Sequence, residues 1–423
     1  MKVYQANILF TSSPTHFDVY ERGYIAVDDT GIIQGVYDAL PEDFAYDQLV
    51  DFGDKLLIPA MNDMHVHAPQ FANMGVAMDM QLLPWLNTYV FPEEAKFADE
   101  AYAETIYHSF VSELWRQGTM RAAVFATVHT PATHILARTF DEAGMGAWIG
   151  LVGMDRHAPA NLCNTSAEWA AGIQTLIDAL ASMPLVKPII TPRFIPSCTP
   201  EMLRCMGEVA KQTLLPVQSH LSENKQEIAW VKELEPYSSC YGDAYYRYGL
   251  FGQTPTLMAH CCYTDGKELQ LMREQNVYAV HCPTSNCNLA SGIAPVRKLL
   301  QQGVNVALGS DIAGGHHLSM FRVMQYAVQM SKLQYTASDG KYPFLTLSEV
   351  FHMATKIGGS LFGKVGSFEK GYAFDALVID DLCLSPHHLI ASSPIERLER
   401  FVYLGDDRQI QHRFCQGNEI KQV

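Results

Sequence analysis

The stretch Leu57-Ile58-Pro59-Ala60-Met61-Asn62-Asp63-Met64-His65-Val66-His67 runs an apolar segment straight into two histidines. A short apolar run of this kind reads as a buried strand, here 57–64. Residues two apart on a strand project to the same face, so the imidazoles of His65 and His67 at its end can reach one ion. Working outward, similar apolar runs occur at 120–128, 146–152, 187–192, 215–219, 256–260, 277–281 and 304–310. They alternate with helical segments such as 99–117 and 200–212, long enough for right-handed crossovers. Eight strands separated by helices predict an α/β fold of the (β/α)8 TIM-like barrel type.

A parallel barrel places its active site at the C-terminal ends of its strands, and metal-capable residues gather there in this chain. His220 ends the fifth predicted strand, His260 the sixth, and Asp311 the eighth in Leu308-Gly309-Ser310-Asp311. With His65 and His67 they supply four nitrogens and a carboxylate, a donor set suited to zinc or iron. A lone histidine at a strand end is ordinarily a hydrogen-bonded structural residue; five candidates on one rim form a site. His281 also ends a strand, in His281-Cys282-Pro283-Thr284-Ser285-Asn286, but would overcrowd a single ion and reads as a supporting residue or pocket wall. His129, His157, His316 and His317 fall near predicted loops and are not read as ligands.

The chain ends have a different character. Residues 1–57 hold β-like runs at 4–10 and 24–27 with a hairpin signal at Asp28-Asp29-Thr30-Gly31. The far end, 366–423, has β-like runs at 376–379 and 401–404 after the turn-rich Gly366-Ser367-Phe368-Glu369-Lys370-Gly371. Neither end alone has enough strands to bury a face. The two are therefore expected to pack as one small β-sandwich domain around the barrel, 58–365.

Of the 423 residues, 48% are hydrophobic and 18% charged, a globular composition. The 45 acidic against 30 basic residues give a formal charge of −15, which disfavours nucleic acid and anionic lipid as partners. The opening Met1-Lys2-Val3-Tyr4-Gln5 lacks the apolar run of a signal peptide, and no stretch stays apolar for the roughly 18 residues of a membrane span, so a cytoplasmic protein is expected. The ten cysteines form no framework and are expected reduced. Cys261, Cys262, Cys282 and Cys287 lack the paired CxxC spacing of a zinc ribbon and read as packing residues.

Such a metal site lowers the pKa of bound water to about 7 and makes it a nucleophile. Asp311 is placed to take the proton of that water. In Ser219-His220-Leu221-Ser222-Glu223, the glutamate lies three residues beyond a ligand and can face the same cavity, as a proton donor to a ring nitrogen. The alternative for Glu223 is a carboxylate at a helix N-terminus. The H-x-E and P-C-x-x-C pattern of the tRNA and cytidine deaminases is absent.

These motifs resemble the amidohydrolase superfamily, whose His-x-His, two later histidines and final aspartate match His65, His67, His220, His260 and Asp311. The resemblance runs nearly end to end and includes the split β domain. Binuclear members carry a lysine after strand four; here Thr191-Pro192-Arg193-Phe194 has none, which implies one metal. Within the superfamily, four segments look like those of the guanine deaminases: 65–70, 82–92, 191–194 and 219–223. The match departs from them at Ser310, where threonine is common.

That resemblance implies hydrolysis of guanine to xanthine and ammonia in purine catabolism or salvage, with Glu223 and Asp311 catalytic. It implies one Zn2+ per chain, iron being the alternative, and a homodimer. Gln70 and Arg193 are expected to hold the purine edge, with Phe194 and Trp85 or Phe91 bounding the ring and His220, Glu223 and His281 completing the pocket. Two other readings stand beside it: a deaminase or chlorohydrolase of another heterocycle such as 8-oxoguanine or a pterin, and a metal-free assembly protein, against which the five intact ligands argue.

Overall fold

The apolar run 57–64 divides at Ala60. In the computed structural model, which describes residues 1–384 and 393–423, strands β1 (Lys2–Ser13), β2 (His16–Val27), β3 (Ile33–Tyr37) and β4 (Gln48–Pro59) precede the break and β5 (Met61–His67) follows it. Pro59 has no N–H with which to extend a ladder, and the Ala60 amide turns to the Asp375 carbonyl at 3.0 Å.

Parallel strands follow: β6 (Thr119–Phe125), β7 (Gly146–Gly150), β8 (Val152–Gly153), β9 (Val186–Pro188), β10 (Thr191–Pro192), β11 (Val217–Leu221), β12 (Thr256–His260), β13 (Tyr278–His281) and β14 (Val306–Leu308). Each of the eight predicted runs thus contains a strand, with 146–152 and 187–192 broken into two short pieces. The ladders join β5-β6-β7-β9 and β11-β12-β13-β14 into two four-stranded parallel sheets, with β8 and β10 paired separately. The sheets meet on both sides: the Ile190 amide donates to the Pro216 carbonyl at 2.9 Å, and the Asp311 amide to the His65 carbonyl at 2.8 Å. Every residue of β5, β6, β11 and β12 is buried. That is why their sequences read as continuous apolar runs rather than alternating ones.

The helix expected at 99–117 forms over Glu100–Arg116, with the Asp99 side chain accepting from the Ala101 and Tyr102 amides. The one expected at 200–212 forms over Pro200–Thr213, capped by Thr199. These caps satisfy amides that have no partner within the helix. Among the described residues no helix is long and apolar enough to cross a membrane, and all ten cysteines are free thiols.

Strands β15 (Ala376–Ile379), β16 (Ile410–Cys415) and β17 (Asn418–Glu419) return to β4, giving one continuous sheet in the order β17-β16-β15-β4-β1-β2-β3. Both chain ends build it, and β4 extends two residues past the expected boundary at 57. Tyr4, Ile8, Phe10, Phe374 and Phe414 fill its core. The segment 401–404, read as a strand, is instead the end of a helix, Pro394–Leu404. Ser393 and Glu396 form a capping box there, Pro394 occupies the first turn, and the buried Leu398, Phe401 and Val402 fall at helical spacing.

One ion pair ties the end sheet to the parallel strands. Arg121 of β6 donates from Nε to Asp375 at 2.5 Å and from Nη2 at 3.2 Å, both side chains being buried, and Asp375 also accepts from the Gln416 amide at 2.7 Å. Removing one member strands the other's charge away from water. Asp375→Ala should therefore cost about 3–5 kcal/mol in urea unfolding, and a loss under about 1 kcal/mol would contradict that role.

Candidate active site

The C-terminal ends of β5, β11, β12 and β14 bring the sequence-predicted ligands together. His65 Nε2 lies 3.2 Å and His67 Nε2 3.5 Å from Asp311 Oδ1, and His260 Nε2 lies 3.7 Å from Oδ2. His67 Nε2 is 3.2 Å from His220 Nε2. One ring nitrogen from each of His65, His220 and His260 falls within 4.8 Å of the others. Two of these side chains sit on left-handed backbone, His260 at φ 73° and Asp311 at φ 50°. Such residues cost about 1–3 kcal/mol unless their surroundings hold them. Here the Cys261 amide bonds the Leu221 carbonyl and the Asp311 amide bonds that of His65.

The outer nitrogens decide which way the rings face. His220 Nδ1 lies 2.7 Å from the Arg193 carbonyl oxygen, which only accepts, so the proton is on Nδ1 and the Nε2 lone pair points into the cluster. His260 Nδ1 likewise meets Asn286 Oδ1 at 2.9 Å. His67 Nδ1 is buried without a hydrogen-bond partner, and His65 Nε2 has only the Asp311 carboxylate at 3.2 Å beside it. Phe125, fully buried, floors the cluster with its ring 4.9 Å from His65, 4.5 Å from His67 and 5.0 Å from His220.

The electrostatics match a cation site. Burial holds His65, His67 and His220 below the ordinary histidine value, keeping their lone pairs free. Burial opposes the charge of Asp311, but the imidazoles of His65 and His260 outweigh it and hold its carboxyl well below the usual range. For His260, burial is outweighed by the carboxylates of Glu223 and Asp311, which raise it. Four converging ring nitrogens, three of them on imidazoles that burial pushes toward the neutral form, together with one carboxylate fit a divalent ion of the zinc or iron type.

Above the cluster lies a cavity lined by Gln70, Trp85, Arg193, Phe194, His220, Glu223 and Asp311, each expected from sequence, and by Leu82, Leu86 and Leu289, which were not. His281 is buried but does not line it; burial pushes its imidazole down to about 3. Phe91 packs away from it in a cluster with Phe125, Val152 and Met154. The segment 281–286 thus reaches the site through Asn286 rather than His281.

Glu223 Oε2 faces His260 Nε2 at 3.7 Å, and Oε1 accepts from Ser291 Oγ at 2.8 Å. Burial raises its carboxyl above the ordinary glutamate value. The helix N-terminal role weighed for Glu223 is filled by Glu227, whose side chain completes the capping box with Asn224 on the helix Lys225–Leu234. Burial, then the charge of Glu223, pushes Glu227 up to about 7.

Two further acids went unnoticed in the sequence. Asp63 accepts from the Ser310 amide at 3.0 Å and from its hydroxyl, tying β5 to the residue before Asp311; an acid inside an apolar strand was the available signal. Glu94 is 3% exposed and accepts from Arg193 and Gln70. It lies two residues beyond the motif 82–92.

Residues 56–420 match the amidohydrolase family. The guanine deaminase of Dictyostelium discoideum is 36% identical, with 100% of this chain and 98% of that protein covered. That of Escherichia coli is 34% identical over 88% and 84%. A crystal structure of guanine deaminase from C. acetobutylicum with guanine bound in its active site superposes with a TM-score of 0.96 at 48% identity, covering 99% of both chains. With so complete a match in sequence and in fold, the chain belongs to the amidohydrolase family.

Proposed function

We propose that this protein hydrolyses guanine to xanthine and ammonia, within purine catabolism or salvage, at a single divalent metal held by His65, His67, His220, His260 and Asp311. The observation that carries the reading is the convergence of four imidazoles and one carboxylate at the floor of a cavity whose wall presents Arg193 and Gln70. The bound guanine of the C. acetobutylicum enzyme supports the same substrate. Zinc is the ion proposed, since family members are generally metal-dependent and the nitrogen-rich donor set suits it.

The ion, when bound, supplies a nucleophilic water near neutral pH. Asp311, kept ionised by the surrounding imidazoles, takes a proton from the attacking water. Glu223, whose carboxyl burial shifts toward holding its proton, donates to the adjacent ring nitrogen, which makes C2 more electrophilic. As the water oxygen bonds to C2, Asp311 passes the proton it took to the C2 amine; the C2–N bond breaks, ammonia leaves, and the added hydroxyl returns its proton to Glu223 as it becomes the new C2 carbonyl of xanthine. The donors of Arg193 and Gln70 pair with the C6 oxygen edge, while Phe194 and Trp85 enclose the ring plane. His281 acts from behind this wall rather than on the substrate.

The parallel strands are read as a closed (β/α)8 barrel spanning 58–365, supported by the backbone bonds that join the two sheets on both sides. The segments 1–57 and 366–423 are read as one small β-sandwich, supported by the aromatic core inside their shared sheet. By resemblance to the guanine deaminases, the protein is proposed to be a cytoplasmic homodimer.

Purified, metal-loaded protein should convert guanine to xanthine with equimolar ammonia; silence on guanine beside turnover of 8-oxoguanine or a pterin would reassign the substrate. His65→Ala should lose stoichiometric metal by elemental analysis, and retention of a full equivalent would remove His65 from the ligand set. Glu223→Gln should keep its metal yet lose about 10²–10⁴-fold in kcat. A fully active E223Q enzyme would sink the proton-donor role.

A further inference from the structure

Glu93 and Glu94 are neighbours at the end of the short helix Phe91–Glu94 but point to different partners. Glu93 accepts from Lys96 Nζ at 2.6 Å and from the Tyr102 hydroxyl. Glu94 turns inward, 3% exposed, and accepts from Arg193 Nη1 with both carboxylate oxygens, at 2.9 and 2.8 Å. Its Oε1 also accepts from Gln70 Nε2 at 3.2 Å. One buried carboxylate therefore grips two cavity-lining donors that arrive from different parts of the chain.

Each grip anchors a donor group. With Nη1 bound to both oxygens of a buried carboxylate, that corner of the Arg193 guanidinium is anchored beside the cavity. Among the described residues nothing accepts from its Nε or Nη2, and the side chain lines the cavity. The Gln70 carboxamide is set from both sides, because its Oε1 accepts from the Ala313 amide at 3.0 Å while Nε2 donates to Glu94. Exchanging its oxygen and nitrogen would put oxygen against a carboxylate and N–H against N–H.

We propose that Glu94 is the positioning residue for substrate selection, holding Arg193 and Gln70 as hydrogen-bond donors so that the site accepts a purine with an oxygen at C6 and rejects one with an amine there. This rests on the guanine reading above. A 6-amino purine sets donors against donors and leaves buried N–H groups unpaired. Glu94 itself touches no reacting atom; it acts through the two residues it orients.

The test compares guanine with 2,6-diaminopurine, which keeps the reactive amine at C2 and carries an amine in place of the C6 oxygen. Steady-state kinetics, metal content and thermal unfolding are measured for the metal-loaded wild type, Glu94→Gln and Glu94→Asp. Glu94→Gln should keep its metal and lose about 10- to 100-fold in kcat/KM for guanine, with much less change for 2,6-diaminopurine, so that the ratio between the substrates falls by a similar factor. Glu94→Asp, which keeps the charge, should recover part of that ratio. A folded, metal-loaded E94Q with an unchanged ratio, or with equal losses on both substrates, overturns the proposal. If E94Q fails to fold, E94D decides, and an unchanged ratio there overturns it as well. Failure of the wild type to deaminate guanine overturns the underlying function instead.

Discussion

The Asp311 amide donates to the His65 carbonyl, and that bond brings the end of the last parallel strand against the end of the first. Its consequence is electrostatic. The Asp311 carboxylate comes to rest within 3.7 Å of the ring nitrogens of His65, His67 and His260, so the one negative charge of the donor set lies amid its nitrogens. Asp63 reinforces the contact by holding the Ser310 amide and hydroxyl. The contact uses the hydroxyl of Ser310.

Around that centre, neighbouring groups fix the direction of each buried polar atom. The Arg193 carbonyl orients His220, while the Arg193 guanidinium lines the cavity. A single residue thus links the position of a ligand to the position of the substrate edge. The buried pair of Arg193 with Glu94 contributes little net stability by general expectation, because desolvation offsets attraction. What such a pair supplies is a fixed geometry.

Residues whose chemistry is visible one at a time are legible along the chain. His65, His67, His220, His260 and Asp311 stand out because polar residues end apolar strands, and a parallel architecture sends strand ends to one place. The helices at 99–117 and 200–212 were legible from their patterns between strand runs, and the structure caps them with Asp99 and Thr199. The run 401–404 was not, because four apolar residues fit a strand or a buried helix face equally well, and the deciding cap lies upstream at Ser393.

The sequence by itself determined the strand and helix alternation, the ligand set and the kinship of the motifs, since each depends on short-range periodicity and residue type. Only the tertiary structure decided which carboxylate serves which purpose. Glu94 reaches Arg193 across 99 positions, Gln70 across 24, and Asn286 reaches His260 across 26. Neither spacing nor composition encodes such pairings. They arise because burial forces every polar group to find a partner, and the partner available is whichever one the fold brings within about 3 Å.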